Sequence, residues 1–459
     1  MMAEVRDLVA DGVVEFSRKE KAAWVSPQAI DPGLLEEIEA VKIVDTHEHL
    51  ETEAQRLARK PDLKPFLYIY TLSELVSAGM PMKDAEEFNG EVPVDRQWKM
   101  VRDWWRFARN TPAGIASRLA LREFYGVDDL RDSTIGPLVK AMQKAVRPGF
   151  YRFALRETAG IECSMINLTE PVQGELCMVS ADPDLLLYDI SVAPLLADDL
   201  KLEPYEKAAG ISCSGLSDWK RIIDRQFERW GSRATAIKNQ CAYWRTLKFE
   251  NVKEEEAAPL FEKWLLRKEE VTPAERRAVQ DWTFHHCIRR ATDLDLPVKI
   301  HTGYHAWNNY SDPSWFQPKD LARLFRRYPR TRFDLFHIGY PEHRDVVALA
   351  KHYANVWVDL CWAWLLDTAA TLKFVRQCVG AIPLNKVFGF GGDTGFPDYA
   401  FGHARMARDG IGLALTQLMH EGRLTRDDAR QIARAWLRDN AMEMFRIEER
   451  RKAARMGEP

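Results

Sequence analysis

The sequence predicts an α/β protein built as a (β/α)₈ barrel, with a mostly helical insertion after the first strand and further helices near the C-terminus. Three observations lead to this prediction. Eight short apolar runs alternate with stretches of helical periodicity, which is typical of repeated βα units around a parallel sheet. Several runs end in histidine or aspartate, and barrels of this kind carry their functional residues at the C-terminal ends of the strands. The length of 459 residues suits one large barrel with insertions.

The predicted elements follow from periodicity along the chain. Residues 1–42 form a helical lead-in, because apolar residues recur at helical spacing after Pro32-Gly33. Residues 43–459 form the barrel, whose first strand is followed by the helical insertion at about 51–159, a contributor to a lid or pocket wall. Helices at about 399–450 pack outside the barrel. The eight predicted strands are Ile43–Leu50, Ile161–Asn167, Leu186–Val192, Ala234–Asn239, Pro297–Thr302, Phe333–Ile338, Val356–Leu360 and Val387–Gly391.

Charge and composition argue against several kinds of partner. The net charge is −3 and no block of Lys or Arg suggests a nucleic-acid footprint. The N-terminal stretch is punctuated by charges rather than apolar like a signal peptide, and no apolar run is long enough to span a bilayer. The seven cysteines are scattered without a C-x-x-C pair, which is typical of buried thiols in a reducing compartment. We therefore expect a cytoplasmic protein that acts on a small molecule.

The first predicted strand carries His47 and His49 at spacing i, i+2. Side chains two apart on a strand leave from the same face, so the two imidazoles can bind one divalent metal ion together. Glu48 between them should point away. Two imidazoles alone hold a metal weakly, and the other ligands must come from elsewhere in the chain.

Three further strands deliver potential metal ligands at their C-terminal ends. The fifth ends in His301, the sixth in His337 and the eighth in Asp393. Burying such groups without a metal or a partner would be costly, so their joint occurrence predicts a metal site. A divalent cation held by three neutral imidazoles and one carboxylate keeps an open position and can lower the pKa of bound water to roughly 7. Zinc is our first choice, and Mn²⁺ fits the same ligands.

This combination resembles the amidohydrolase superfamily of TIM-barrel metal-dependent enzymes. More narrowly, it is similar to the branch that holds metal-dependent hydrolases, related decarboxylases and uronate isomerases, and the segment with Trp104-Trp105 resembles the uronate isomerase end. The resemblance implies that His47, His49, His301 and Asp393 bind the metal. His337 is then either a further ligand or an acid/base group. The resemblance also implies a homo-oligomer.

Lys238, at the end of the fourth predicted strand, has three interpretations. Some superfamily members place there a lysine that becomes carboxylated and bridges two metal ions. Otherwise Lys238 binds substrate as an unmodified lysine, or pairs with a carboxylate as part of the structure. We expect one metal ion, or two if Lys238 is carboxylated.

Four residues that follow the strands are candidate substrate ligands. Arg245 can grip a carboxylate with two parallel hydrogen bonds. Tyr304 and Trp307 follow the fifth strand and Trp362 follows the seventh, so they place aromatic groups at the mouth of the barrel. Such residues suit a sugar-like or aromatic acid.

The predicted function is a metal-dependent hydrolase, in which a metal-activated water attacks an amide, ester or lactone carbonyl of a small carboxylate-bearing substrate. Asp393 would accept the proton of the water, and His337 would polarise a substrate oxygen or protonate the leaving group. The alternatives are a uronate isomerase or a metal-dependent decarboxylase using the same site. A further alternative is a metal-bound barrel without catalysis that serves as a binding protein.

Overall fold

Nine short parallel strands form the barrel wall in a computed structural model that describes residues 22–307 and 312–456. The first 21 residues of the predicted lead-in lie outside this described part. Neighbouring strands follow one another in sequence order, as in a (β/α)₈ barrel. The strands are β1 Ile43–Glu48, β2 Ile161–Ile166, β3 Leu186–Tyr188, β4 Ile190–Ser191, β5 Ile237–Asn239, β6 Val298–Ile300, β7 Phe333–Leu335, β8 Val356–Asp359 and β9 Val387–Phe388.

The predicted (β/α)₈ architecture is confirmed, with one change in the third strand. That strand is divided at Asp189 into β3, which pairs with β2, and β4, which pairs with β5. Predicted strands four to eight therefore correspond to β5–β9. The barrel closes through backbone hydrogen bonds from Thr46 N–H to the Phe390 carbonyl at 3.2 Å and from Asp393 N–H to the His47 carbonyl at 2.8 Å.

Helices surround the strands and fill the long connection after β1. Side-chain caps fix several of their ends, as where Thr272 and Glu275 form a capping box ahead of the helix that begins at Pro273. No helix in the described residues is long and apolar enough to cross a membrane. The α-helices are Pro32–Ala40, Glu53–Ala58, Ile69–Ser77, Met82–Phe88, Val94–Ala108, Pro112–Tyr125, Asp132–Ala145, Glu203–Ala209, Leu216–Trp230, Glu254–Leu266, Pro273–Asp293, Ala322–Arg327, His343–His352, Ala363–Leu366, Thr368–Ala381, Pro397–His420, Arg426–Arg434, Asn440–Met444 and Ile447–Arg455, with π-helical turns at Arg152–Thr158 and Ala435–Asp439.

The helical insertion has a hydrophobic core of its own, separate from that of the barrel. We call this cluster the insertion core. The half-buried Trp307, which follows β6, packs against it from the barrel side. Its fully buried members include Leu63, Phe66, Leu67, Leu72, Leu75, Phe88, Val101, Leu121 and Leu138.

The helix Pro397–His420 joins the insertion to the barrel. It packs against the helix Pro112–Tyr125, and the two backbones approach so closely that a Cβ at Gly402 would collide with the Ala116 carbonyl. The Tyr125 hydroxyl donates to Asp398 Oδ2 at 2.8 Å. The insertion is thereby fixed against the element that follows Asp393.

The interior of the barrel is charged rather than purely apolar. Lys238, Lys299 and Asp334 lie side by side in register on β5, β6 and β7, and each is at most 1% exposed. Barrel interiors are usually filled by Val, Ile and Leu. Lys299 Nζ contacts Asp189 Oδ2 at 2.7 Å and donates to the Thr46 carbonyl at 2.8 Å, so this lysine is tied to β1 just before His47.

Candidate metal centre

His47, His49 and Asp393 converge at the C-terminal end of the barrel. The Nε2 atoms of the two histidines lie 3.2 Å apart. Asp393 Oδ1 lies 3.4 Å from His47 Nε2 and 3.3 Å from His49 Nε2. Ligands of a tetrahedral ion at 2.0–2.1 Å are separated by about 3.3 Å, so the spacing of these three atoms matches the edges of such a polyhedron.

His301 and His337 form a second imidazole pair beside the first. His337 Nε2 lies 2.9 Å from His301 Nδ1 and 3.8 Å from Asp393 Oδ2. The other nitrogen of each ring contacts a backbone carbonyl: His337 Nδ1 contacts that of Cys361 at 3.0 Å, and His301 Nε2 contacts that of Tyr304 at 3.0 Å. Since a carbonyl only accepts, both of these nitrogens carry the proton.

With these tautomers, two lone pairs face each other without a hydrogen bond between them. In the neutral rings they belong to His337 Nε2 and His301 Nδ1, and a cation bound by both nitrogens would remove their repulsion. His49 is in the same position, because its Nδ1 donates to the Asn167 carbonyl at 2.9 Å and leaves a lone pair on Nε2. Lone pairs from several imidazoles and a carboxylate that face one buried region form the donor set of a divalent metal. The residues present therefore fit the metal that the sequence predicts.

The electrostatics of the cluster keep its ligands in metal-binding form. Burial, reinforced by Lys238, lowers the pKa of His47 well below its usual value, and burial lowers that of His337 to about 4. Burial alone would raise the pKa of Asp393, but the interaction with His47 opposes it, and that pKa lies well below its usual range. Near neutral pH the imidazoles of His47 and His337 are therefore neutral and the Asp393 carboxylate is ionised, as metal coordination requires.

Backbone strain is concentrated at the same place. Among the described residues, eight other than glycine have positive φ, and five of them are Trp307, His337, Ile338, Trp362 and Asp393. Each such conformation costs roughly 1–3 kcal/mol and persists only where the surroundings impose it, which happens mostly at functional sites.

Lys238 lies beneath the histidines with its ammonium 3.4 Å from the centroid of the Phe336 ring. It is 1% exposed, and Nζ has no hydrogen-bond partner among the described residues. Burial lowers its pKa to about 8. An unpartnered ammonium at this depth needs an anionic or oxygen-bearing neighbour, and both the substrate-binding and the carboxylated forms of Lys238 stay predictions.

Aromatic residues wall the site. The ring of Trp362 stacks on that of Tyr70 from the insertion at 4.5 Å between centroids and meets the edge of His337 at 5.4 Å. Its buried indole N–H has no acceptor among the described residues. Tyr304, at 45% exposure, lies at the mouth with its ring centroid 6.1 Å from that of Trp362, and Trp307 lies behind it against the insertion core.

Arg245 does not face this site, so its predicted role as a substrate ligand is corrected. Its guanidinium forms an ion pair with Asp281 and donates to Gln280 at 3.1 Å, and the residue is 4% exposed. Burial of an arginine requires such partners. Sequence reasoning could not see them, because Gln280 and Asp281 lie more than thirty residues away on the helix Pro273–Asp293.

The structure adds residues that the sequence did not single out. The Cys361 thiol joins His337 and Asp393 in a group whose ligand atoms lie within 4.8 Å of one another. His305 is buried, and neither of its ring nitrogens has a hydrogen-bond partner within residues 22–307 and 312–456. The Tyr70 hydroxyl donates to the Asp393 carbonyl. Cys361 follows β8, so the expectation that functional residues lie at the C-terminal ends of strands, which identified His301 and Asp393, could also have identified Cys361. It was not singled out because all seven cysteines were interpreted as buried thiols.

Comparison with known proteins agrees with this fold. The amidohydrolase family model matches residues 253–447, which include His301, His337, Cys361 and Asp393. The predicted resemblance to the amidohydrolase superfamily is thereby confirmed, and it lies in this part of the chain. A curated relative, protein fluG of Emericella nidulans, is 24% identical over 186 residues, which are 39% of this chain. The chain spans about a fifth (21%) of the length of that relative.

Solved structures share the fold over nearly the whole chain. The uronate isomerase of Thermotoga maritima superposes with a TM-score of 0.74 at 15% identity, covering 92% of this chain and 99% of its own. The glucuronate isomerase of Caulobacter crescentus gives 0.74 at 16% identity, covering 94% and 98%. A protein assigned provisionally as a metal-dependent hydrolase, from Lactobacillus casei, gives 0.64 at 16% identity, covering 91% and 98%. These likenesses confirm the TIM-barrel fold.

Proposed function

We propose that the protein is a metal-dependent hydrolase that adds water to an amide, ester or lactone carbonyl of a small, carboxylate-bearing substrate. The observation that carries this proposal is the position of Asp393. One oxygen faces His47 and His49, and the other faces His337. Asp393 therefore links a set of cation ligands to a buried imidazole that can move protons.

The ligands of the cation would be His47, His49, His301 and Asp393, with His337 beside them. A divalent cation bound there supplies Lewis acidity, which polarises a carbonyl and makes water more acidic. Zinc is preferred for an imidazole-rich set, and Mn²⁺ is the second choice. One ion suffices for this chemistry, and a second requires a further ligand such as carboxylated Lys238.

Asp393 and His337 would divide the proton transfers. The Asp393 carboxylate is ionised near neutral pH, so it can accept a hydrogen bond and a proton from water. His337 keeps its Nδ1 proton on the Cys361 carbonyl and presents a lone pair at Nε2. It can thus accept a proton at Nε2 and pass it to the leaving group.

Two unpartnered donors support a substrate rich in oxygen and bearing a carboxylate. They are Lys238 Nζ and the indole N–H of Trp362, both buried within the described part of the chain. Tyr304 and Trp307 add aromatic surface at the mouth. With Arg245 paired elsewhere, Lys238 takes over the proposed role of carboxylate ligand.

A second candidate is the aldose–ketose isomerisation of a uronate. It is favoured by the likeness to two uronate or glucuronate isomerases over more than nine-tenths of the chain, including the helical insertion. Moving a proton between adjacent carbons also needs a base and an acid beside a cation, and Asp393 with His337 could serve.

Product analysis distinguishes the candidates. Metal-replete protein is incubated in ¹⁸O-labelled water with a panel of amides, lactones, uronates and aromatic acids, and products are weighed by mass spectrometry. Hydrolysis places one ¹⁸O in the product, isomerisation leaves the mass of the substrate unchanged, and decarboxylation releases CO₂. Turnover should disappear in Asp393→Asn and persist in Asp103→Asn, which alters an exposed aspartate. Absence of turnover on the whole panel would favour a binding protein.

A further inference from the structure

Cys361 occupies a position from which its thiol faces the metal centre. Its Sγ, His337 Nε2 or Nδ1 and an Asp393 oxygen form a group of potential ligand atoms within 4.8 Å of one another, and all three residues are buried. The peptide of Cys361 is fixed on both sides, because its N–H donates to Asp359 Oδ1 at 2.7 Å and its carbonyl accepts from His337 Nδ1 at 3.0 Å. The thiol is therefore held in place and is no mobile surface group.

The neighbouring backbone makes room for this thiol. A Cβ at Gly391 would lie 2.6 Å from Thr46 Oγ1, 2.8 Å from Cys361 Cβ and 2.9 Å from Cys361 Sγ. All three distances are shorter than real Cβ contacts, so glycine at 391 is required beside Thr46 and Cys361. The thiol is thus closely packed between β1, β8 and β9.

A further observation indicates that this space holds a cation. His337 Nδ1 and His301 Nε2 donate to backbone carbonyls, so the lone pairs of His337 Nε2 and His301 Nδ1 face each other at 2.9 Å. The thiol therefore lies close to an imidazole that offers a lone pair to a cation.

We propose that Cys361 is a metal ligand and that, with His337 and Asp393, it forms a second cation position beside the one proposed for His47, His49, His301 and Asp393. A cation at the second position would take the Nε2 lone pair of His337, so His337 would act there as a ligand and Asp393 alone would accept the proton of the water. Asp393 Oδ1 faces the first position and Oδ2 the second, so this carboxylate is shared. On binding, Sγ forms a bond to the cation and the thiol proton is released to solvent. The inference rests on the metal-binding part of the proposed function.

A sulfur ligand gives the second cation position a different preference among metal ions from that of the first. Thiolates favour Zn²⁺ and other thiophilic ions, whereas sites of oxygen ligands suit Mg²⁺ and Mn²⁺. The second position should therefore take Zn²⁺, Co²⁺ or Cd²⁺ and reject Mg²⁺. This selectivity would arise without any modification of Lys238.

Cobalt spectroscopy tests the inference. Metal-free full-length protein is titrated with Co²⁺ alone while the near-ultraviolet thiolate-to-cobalt charge-transfer band and the visible d–d bands are recorded. We expect two equivalents to bind and the charge-transfer band to accompany one of them. In Cys361→Ser the band should vanish and one equivalent should bind at least about ten-fold more weakly. Cys378→Ser, which alters another buried free cysteine on the helix Thr368–Ala381, should behave as the wild type.

The outcomes separate this inference from the proposed function. Visible bands without a charge-transfer band, binding of a single equivalent, or a band that survives in Cys361→Ser would each overturn the role of Cys361 in a second position. The first position would stand in all three cases. Failure of the folded wild type to bind any Co²⁺ would overturn both. Circular dichroism of Cys361→Ser and Cys361→Ala shows whether a loss reflects unfolding.

Discussion

Replacing Lys299 by methionine should strongly destabilise the protein. Lys299 and Asp189 form an ion pair with both side chains wholly buried, and Lys299 Nζ also donates to the Thr46 carbonyl. Methionine keeps the length of the side chain but leaves Asp189 as a buried carboxylate without its counter-ion. Breaking a buried pair in this way costs about 3–5 kcal/mol. The ratio of folded to unfolded protein should fall by roughly a hundred- to several-thousand-fold.

Equilibrium urea unfolding of four proteins measures this cost: wild type, Lys299→Met, Asp189→Asn and the double variant. The double variant should recover much of the loss, because neither charge remains in the interior. Lys386→Met is the matched control. Lys386 is also buried, but it donates to the carbonyls of Tyr353 and Ala354 rather than to a carboxylate, so about 1–2 kcal/mol is expected. A cost below about 1 kcal/mol for Lys299→Met would refute the reasoning that an ionised pair stabilises the barrel interior.

Three further predictions concern a metal ligand, a buried histidine on the helix Pro273–Asp293 and the glycine beside Asp393. His49→Gln should weaken Zn²⁺ or Co²⁺ affinity at least about ten-fold in a chelator competition assay, because it removes a ligand atom. Burial lowers the pKa of His285 from 6.5 to about 4, so unfolding takes up a proton between these pH values. The free energy of unfolding therefore falls as the pH drops through this range. His285→Gln should reduce the slope of the unfolding free energy against pH by up to about 1.4 kcal/mol per pH unit. Gly392→Ala should cost about 1–3 kcal/mol in urea unfolding and weaken cation binding, because the new Cβ collides with the Glu48 carboxylate.

Each of these three predictions has a control. For His49→Gln the control is His352→Gln, which changes an exposed histidine and should leave cation affinity unchanged. The pH test compares slopes, so a uniform loss of stability in His285→Gln does not affect it, whereas an unaltered slope would contradict the buried neutral imidazole. Gly136→Ala introduces a methyl group on the helix Asp132–Ala145 with nothing within 4 Å, and should stabilise by about 0.5–1 kcal/mol. Equal effects of the two glycine substitutions would argue against the crowding at Gly392.

The sequence predicted the barrel and the convergence of His47, His49, His301, His337 and Asp393 because both follow from local rules. Strand periodicity is visible in a few residues, and the C-terminal ends of parallel strands meet at one face of a barrel. The distances among these side chains agree with the prediction, although their role as metal ligands awaits the experiments above.

The features that the sequence did not predict depend on contacts between residues far apart in the chain. Lys299 and Asp189 are 110 residues apart, and nothing near either one marks them as a buried pair. Arg245 was predicted to bind a substrate carboxylate, but it pairs with Asp281, which lies 36 residues away. Asp189 also lies where the third strand divides, with its carboxylate on Lys299 and its N–H donating to the Ile166 carbonyl of β2 at 2.9 Å. Such features follow from three-dimensional packing, which periodicity does not describe.

The separate insertion core has an evolutionary consequence. Substitutions in the insertion core that share no partner with the barrel core have nearly additive effects on stability, whereas those where Pro112–Tyr125 packs against Pro397–His420 are coupled. Changes away from that contact can therefore accumulate in the insertion core without compensation in the barrel. The insertion contacts the reactive end of the barrel through the Tyr70 hydroxyl, which donates to the Asp393 carbonyl, and its core packs against Trp307 from the barrel side. Duplicated copies of such a gene could therefore diverge in the helical part and acquire new substrates, while the inherited barrel residues stay under unchanged selection.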